Sequence, residues 1–174
     1  MKVIKKQTNS EDCIICGINN EMGVKAPFYE MENGEVWSIF EFKDEHQSYP
    51  ERVHGGMISA MLDELTGRAI WITHPDMWGV TMELNVKFRK KVPYGEKLKA
   101  VGRIISETSR TFTGTGEIYD MNGTLLASAK AVYFKLPLDK ITQDINHRDG
   151  ENVYVPDEVK EIRKEFFQLT VNSE

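Results

Sequence analysis

His54-Gly55-Gly56 is followed, nine residues after the histidine, by Asp63 inside a strongly apolar run. Paired glycines let main-chain N–H groups approach a ligand, because no Cβ stands in the way. At the first turn of a helix those N–H groups lack intrahelical acceptors and lie at the positive end of the helix dipole. They therefore suit an oxygen that gains negative charge during a reaction. Asp63, two turns further along the same helix, supplies the base or nucleophile that an oxyanion site lacks. The pattern reads as an active site.

The helix that carries these groups can be oriented from its own spacing. At about 100° per residue, Ile58, Met61, Leu62, Leu65 and Ala69 fall on one stripe, the core face. Asp63 lies off that stripe, flanked by Gly56, Ala60 and Gly67, with Ser59 and Thr66 beside them. That flank is lined by small residues and admits something flat or thin. Glu64 has Arg68 four residues on, an ordinary stabilising pair. Asp63 has no basic residue three or four positions away in either direction.

The elements around the helix follow from local pattern. Residues 1–12 are polar and of mixed charge and read as a loose N-terminal arm. EVWSIFEFK, residues 35–43, is aromatic and branched and reads as the first strand. A loop over 44–53 leads into His54, and the helix runs from Gly55 to Ile72, stopped by His74-Pro75. Next comes a strand in which Val80, Met82, Leu84, Val86 and Phe88 alternate with Thr81, Glu83, Asn85, Lys87 and Arg89, one face for the core and the other polar. Strands over 97–106, 111–119 and 124–135 complete the set. Gly114 and Gly116 mark a bend or a close approach of another backbone, and Asn122-Gly123 marks a tight hairpin. One long helix on an antiparallel sheet of about five strands is the α+β architecture that this order implies. Beyond Pro137 a polar linker leads to EVKEIRKEFFQL, where Val159, Ile162 and Phe166 predict a short amphipathic helix.

Bulk properties narrow the function classes. The 174 residues suit one domain with tails. A net charge of −5 and a pI near 5.5 disfavour nucleic acid and anionic membranes as partners. No apolar run approaches the ~20 residues of a membrane span, and no leader pattern opens the chain, so the expected location is the cytoplasm. Cys13 and Cys16 have the spacing of half a zinc site, but no second CxxC or HxxxH follows. They are read as small buried packing residues, and no metal or cofactor is expected.

The runs VHGGMISAMLDELTGRAI and GVTMELNVKFRKKVPYGEKL, with the weaker CIICG opening, resemble the hotdog-fold acyl-CoA thioesterases of the phenylacetate-degradation type, in the hydroxybenzoyl-CoA thioesterase superfamily. The likeness spans Cys13 to Lys135. It implies a hotdog domain over 13–136, a long central helix wrapped by a curved antiparallel sheet, with 137–174 as a C-terminal extension. It also implies a homodimer or homotetramer and metal-independent hydrolysis of an acyl-CoA. In that chemistry the Gly55 N–H would stabilise the oxyanion, assisted by Gly56 beside it. Asp63 would either attack the thioester carbonyl or deprotonate a water.

Other positions carry less. His54 either holds the glycine turn or polarises the carbonyl. The resemblance implies that Thr81 reaches the site from the partner subunit and positions water. In the loop before His54, Ser48, with Gln47 adjacent, stands where some relatives have an asparagine, and both are read as substrate-binding candidates. From Lys87 to Arg110 eight basic residues, Arg89, Lys90 and Lys91 among them, face two acids, a local +6 that leaves −11 on the rest of the chain. Such an edge attracts the phosphates of coenzyme A or protects a strand edge. Trp71, Trp78, Met57 and Met61 either shape an acyl pocket or fill the core. A noncatalytic acyl-CoA binding or sensor protein is the rival function on the same fold. A dehydratase, which would use a histidine with an acid, is the third.

Overall fold

The sequence's alternating segments become a single sheet in the computed structural model, which describes residues 2–137 together with 140 and 141. The strands are β1 (Val3–Lys6), β2 (Tyr29–Met31), β3 (Val36–Glu41), a small hairpin of β4 (Gln47–Tyr49) and β5 (Arg52–Val53), then β6 (Met77–Phe88), β7 (Lys97–Glu107), β8 (Thr111–Asp120) and β9 (Leu125–Pro137). The helix α1 (Gly55–Gly67) continues as a 3₁₀ turn over Arg68–Ile72, so the expected helical span divides into two geometries. Seven strands pair antiparallel in the order β1-β2-β3-β7-β8-β9-β6. The expected five thus become seven, because the N-terminal segment is not a loose arm. Val3–Lys6 pairs with Tyr29–Met31, and Val3, Tyr29 and Met31 join Trp37, Ile39 and Val101 in a second apolar cluster.

Helix α1 lies on the other face of the sheet. Ile58, Met61, Leu62, Leu65 and Ala69 are all buried there, as their spacing requires, among Phe28, Phe40, Phe42, Leu98, Ala100 and Ile118. The helix sits unusually close to the strands. A Cβ on Gly102 would lie 2.8 Å from Leu65 Cγ, and one on Gly116 would lie 2.8 Å from Thr66 Cγ2. The strand glycines therefore mark an approach of helix to sheet, one of the two meanings that the sequence allowed. Gly123 closes the β8–β9 hairpin with φ of +83°, a conformation that suits glycine.

Strand β6 departs from expectation. It lies at the sheet edge, and its pairing with β9 slips between Thr81 and Glu83. Val80, Met82 and Phe88 are exposed rather than core, while Leu84 and Val86 are half-buried. The irregularity breaks the strict alternation, and among the described residues nothing covers the outer half of the strand. The 44–53 segment is also more ordered than a loop, with a 3₁₀ turn at Asp44–His46 followed by the β4–β5 hairpin. The predicted helix containing Val159, Ile162 and Phe166 lies outside the described residues. Among the described residues no helix is long and apolar enough to cross a membrane.

Candidate active site

Asp63 lies in the third turn of α1, on the flank away from Met61 and Leu62, and opens into a cavity of about 170 Å³. Thr81 on β6 and Tyr133 on β9 also line it. The Thr81 hydroxyl sits 2.9 Å from Asp63 Oδ1 and 3.1 Å from Oδ2. The Tyr133 hydroxyl lies 3.0 Å from Oδ1 and 2.9 Å from the Asp63 main-chain oxygen, and also meets the Thr66 hydroxyl. Both donors reach Oδ1, whereas Oδ2 meets only Thr81, so Oδ2 keeps accepting capacity for a water or substrate. Burial raises the Asp63 carboxyl above the ordinary carboxylate range. Thr81 and Tyr133 pull it down in part, and the neighbouring Glu64 charge pushes it up. A carboxyl held in this way is a better proton acceptor than an exposed one.

Thr81 therefore contacts Asp63 within one chain. β6 runs beside α1, which places residue 81 against residue 63 of the same molecule. Tyr133 was not anticipated. It stands at the end of an inward-facing row, Ala127, Ala129 and Ala131, where a hydroxyl among alanines is a signal that alternation alone cannot separate from core. Its ring stacks on Phe112 at 4.8 Å between centroids, which fixes the hydroxyl in place.

The HGG segment occupies a different place. His54 is the N-cap of α1, and its Nδ1 accepts from the Gly56 N–H at 2.9 Å. Of its two candidate roles, this geometry supports holding the glycine turn. The Gly56 N–H is consequently taken. The Gly55 N–H, at the first helical position, has no intrahelical acceptor. Gly55 lines a groove of about 460 Å³ with Ser48, Phe88, Arg89, Lys90 and Lys91. The basic residues of the sequence thus converge on the helix N-terminus. Lys91 is 2.7 Å from Glu51, Arg89 Nε donates to Ser128, and the charge of Lys90 is felt by Asp120. Gln47 is held apart, accepting from the Tyr94 hydroxyl at 3.1 Å.

Gly55 and Asp63 cannot serve one carbonyl within one chain. Eight residues of α-helix rise about 12 Å, and the two groups open into separate cavities.

Glu64 and Arg68 do pair, Nε to Oε1 at 2.8 Å, but the pair is not an ordinary surface one. Arg68 is 5% exposed and lies over the rings of Phe28 and Trp71 at 4.5 and 4.6 Å. Trp71 and Trp78 line the Asp63 cavity, while Met61 is core. Cys13, Cys16 and Glu64 form a group in which one donor atom from each lies within 4.8 Å of the others, a contact invisible in the sequence.

Residues 51–127 match the family model of the thioesterase superfamily. Solved structures agree on the hotdog fold. A thioesterase superfamily protein aligns with a TM-score of 0.65 at 23% identity, covering 71% of this chain and 63% of that one. A phenylacetic acid degradation-related protein from Ralstonia eutropha aligns with a TM-score of 0.57 at 24% identity, covering 64% of this chain and 85% of its own. A thioesterase-type protein from Streptococcus pneumoniae, solved with coenzyme A, gives 0.58 at 19%, covering 64% and 86%. Among curated sequences, an uncharacterized protein from Schizosaccharomyces pombe is 27% identical over 101 residues, which is 57% of this chain. The chain spans 58% of that relative's length.

Proposed function

We propose that this protein hydrolyses acyl-CoA thioesters, with a reaction centre assembled from two copies of the chain. The observation that carries the proposal is Asp63, a half-buried carboxylate positioned by Thr81 and Tyr133 in a cavity. One chain contributes Asp63, Thr81 and Tyr133, and the other contributes the Gly55 N–H and the basic groove at the start of its α1. The 12 Å between the two half-sites of a single helix calls for the second copy. The β6 edge, where Val80, Met82 and Phe88 are exposed among the described residues, offers it a surface. Pairing of two such edges about a two-fold axis runs the two helices in opposite directions, so the Gly55 end of one faces the Asp63 end of the other.

In this arrangement the thioester oxygen accepts from the Gly55 N–H at the positive end of the dipole. Asp63 Oδ2 takes a proton from a water that attacks the carbonyl, and the coenzyme thiolate leaves. The proton-acceptor role is favoured over direct attack because Oδ2 is the less encumbered oxygen and burial has raised the basicity of the group. Lys90 and its neighbours hold the coenzyme phosphates. The test is a panel of acyl-CoAs assayed for thiol release with wild-type protein and with Asp63→Asn. Release by the first and not the second is expected. Binding of acyl-CoA without release by either would make the protein a binding module instead.

A further inference from the structure

The CIICG segment is not used by the hydrolytic reading, yet it forms part of the wall of the Asp63 cavity. Cys13 and Cys16 line it together with Ser10, Glu64, Arg68, Trp71 and Trp78. The segment is a tight turn, closed by the Gly17 N–H donating to the Cys13 carbonyl at 2.8 Å. A Cβ on Gly17 would come within 2.4 Å of that oxygen, so glycine is required there. The turn aims two main-chain donors at one sulfur: Ile15 N–H and Cys16 N–H lie 3.3 and 3.4 Å from Cys13 Sγ. The two thiols differ in access. Cys13 is half-buried on the cavity side, whereas Cys16 is 1% exposed, with its sulfur 3.4 Å from the Ser10 hydroxyl.

We propose that Cys13 and Cys16 are a reversible dithiol–disulfide site in the cavity wall, with Cys13 attacking, Cys16 resolving, and a low-molecular-weight disulfide of the glutathione type as oxidant. The geometry supplies what each step needs. The donors around Cys13 Sγ stabilise a thiolate, and the Cys16 thiol beside it, with the Ile15 and Cys16 N–H groups, lowers the Cys13 thiol to about 6. Cys16 is pushed up, first by sharing its proton with Cys13 and then by burial, so it stays protonated until its turn. Glu64 opposes both thiolates and Arg68 favours the Cys16 one, and these are the charged groups that face the pair. The same Arg68 argues against a metal as occupant. Its guanidinium already neutralises Glu64, and among the described residues three ligands converge where a structural zinc takes four.

The chemistry balances without any other reactant. Cys13 thiolate attacks one sulfur of oxidised glutathione, the S–S bond breaks, and one glutathione thiolate leaves with a mixed disulfide formed on Cys13. Cys16 gives its proton to solvent and attacks Cys13 Sγ, and the second glutathione leaves. Two electrons pass from the cysteine pair to the oxidant, giving two glutathione thiols and one Cys13–Cys16 bond. The sulfurs, now within 4.8 Å, close to about 2.05 Å. Cys16 is drawn from Ser10, and the cavity wall beside Trp71 and Trp78 is reset.

The test uses the full reduced chain treated with oxidised glutathione, acid-quenched and read by intact mass, with tryptophan fluorescence followed in parallel. Wild type is expected to lose two hydrogens and retain no glutathione, with a fluorescence change that a dithiol reductant reverses. Cys16→Ser is expected to trap one glutathione on Cys13. Cys13→Ser should react slower by more than about tenfold, because the remaining thiol is buried and protonated. A mixed disulfide that persists in wild type would overturn the proposal. So would equal reactivity of the two single variants, or oxidation with no fluorescence change. None of these readouts depends on acyl-CoA turnover, so they stand whether or not the protein hydrolyses thioesters.

Discussion

Replacing Gly55 by proline removes one N–H and little else. Residue 55 is the first helical position of α1, where a proline is tolerated because its missing donor has no intrahelical partner. The preceding His54 has φ −61° and ψ 133°, the extended conformation that a following proline demands. A Cβ at residue 55 would meet the Phe88 ring at 3.4 Å, an ordinary contact. The variant should therefore fold and keep the His54–Gly56 cap. If the Gly55 N–H stabilises the oxyanion, its deletion lowers kcat by about 10² to 10³, the effect of losing one preorganised donor at about 2.7–4 kcal/mol. Gly55→Ala keeps the N–H and should change kcat only a few-fold. The assay is thiol release on the best acyl-CoA, with circular dichroism melting to show that both variants are folded. Subunit mixing extends it: exchanging Gly55→Pro with Asp63→Asn chains rebuilds one intact site per mixed dimer and returns about a quarter of wild-type activity at random exchange. Asp63→Asn mixed with Thr81→Val returns none, because both residues belong to the same half-site. A folded Gly55→Pro enzyme as active as Gly55→Ala would refute the role of the N–H.

Four further outcomes are expected. Asp63→Asn lowers kcat by about 10² to 10⁴. Because folding raises the Asp63 pKa, the carboxyl favours the native state only while protonated, below the ordinary carboxylate range. That contribution is lost as pH rises through the folded value, so the variant should melt no lower than wild type at neutral pH, with any advantage shrinking in acid. Tyr133→Phe removes a donor that pulls the Asp63 pKa down, so kcat/KM falls about tenfold and its rising limb moves to higher pH, as read in a pH–rate profile. Glu64→Gln leaves the buried Arg68 short of its partner and lowers stability by about 2 kcal/mol in denaturant titration, while the kcat of the folded protein stays near wild type. Lys90→Ala raises KM for acyl-CoA and flattens its dependence on salt, with kcat unchanged, in a KM series across ionic strength.

The helix, its buried stripe and the strand order were legible in the sequence because each rests on local periodicity. Ile58, Met61, Leu62 and Leu65 needed only the 3.6-residue repeat to be placed. The departures at the sheet edges and at the site are long-range. Val3–Lys6 becomes a strand only because Tyr29–Met31 lies beside it, and nothing in a segment of four residues announces that pairing. Val80, Met82 and Phe88 alternate perfectly yet face outward, since alternation says that one side is apolar and not what covers it. At the site, Asp63 was found from its lack of helical partners, while Tyr133, seventy residues away, was not. The separation of Gly55 from Asp63 was implicit in the helix rise. It became plain only when each was seen to open into its own cavity.

The depth at which α1 sits is set by main chain rather than by side chains. Leu65 rests on Gly102 and Thr66 rests on Gly116, positions with no Cβ and hence no rotamer to adjust. Thr66 is one turn beyond Asp63 and shares contacts with the Tyr133 hydroxyl that holds the carboxylate. The height of the acid above the sheet is therefore insulated from exchanges among the bulky residues beneath the helix, which can trade volume without tilting it. The tolerance is bought with two positions that cannot vary. A single methyl at residue 116 would press on Thr66 at 2.8 Å, so something there must shift, and a displacement of about 1 Å carried to the acid can cost a reaction centre on the order of a hundredfold in rate.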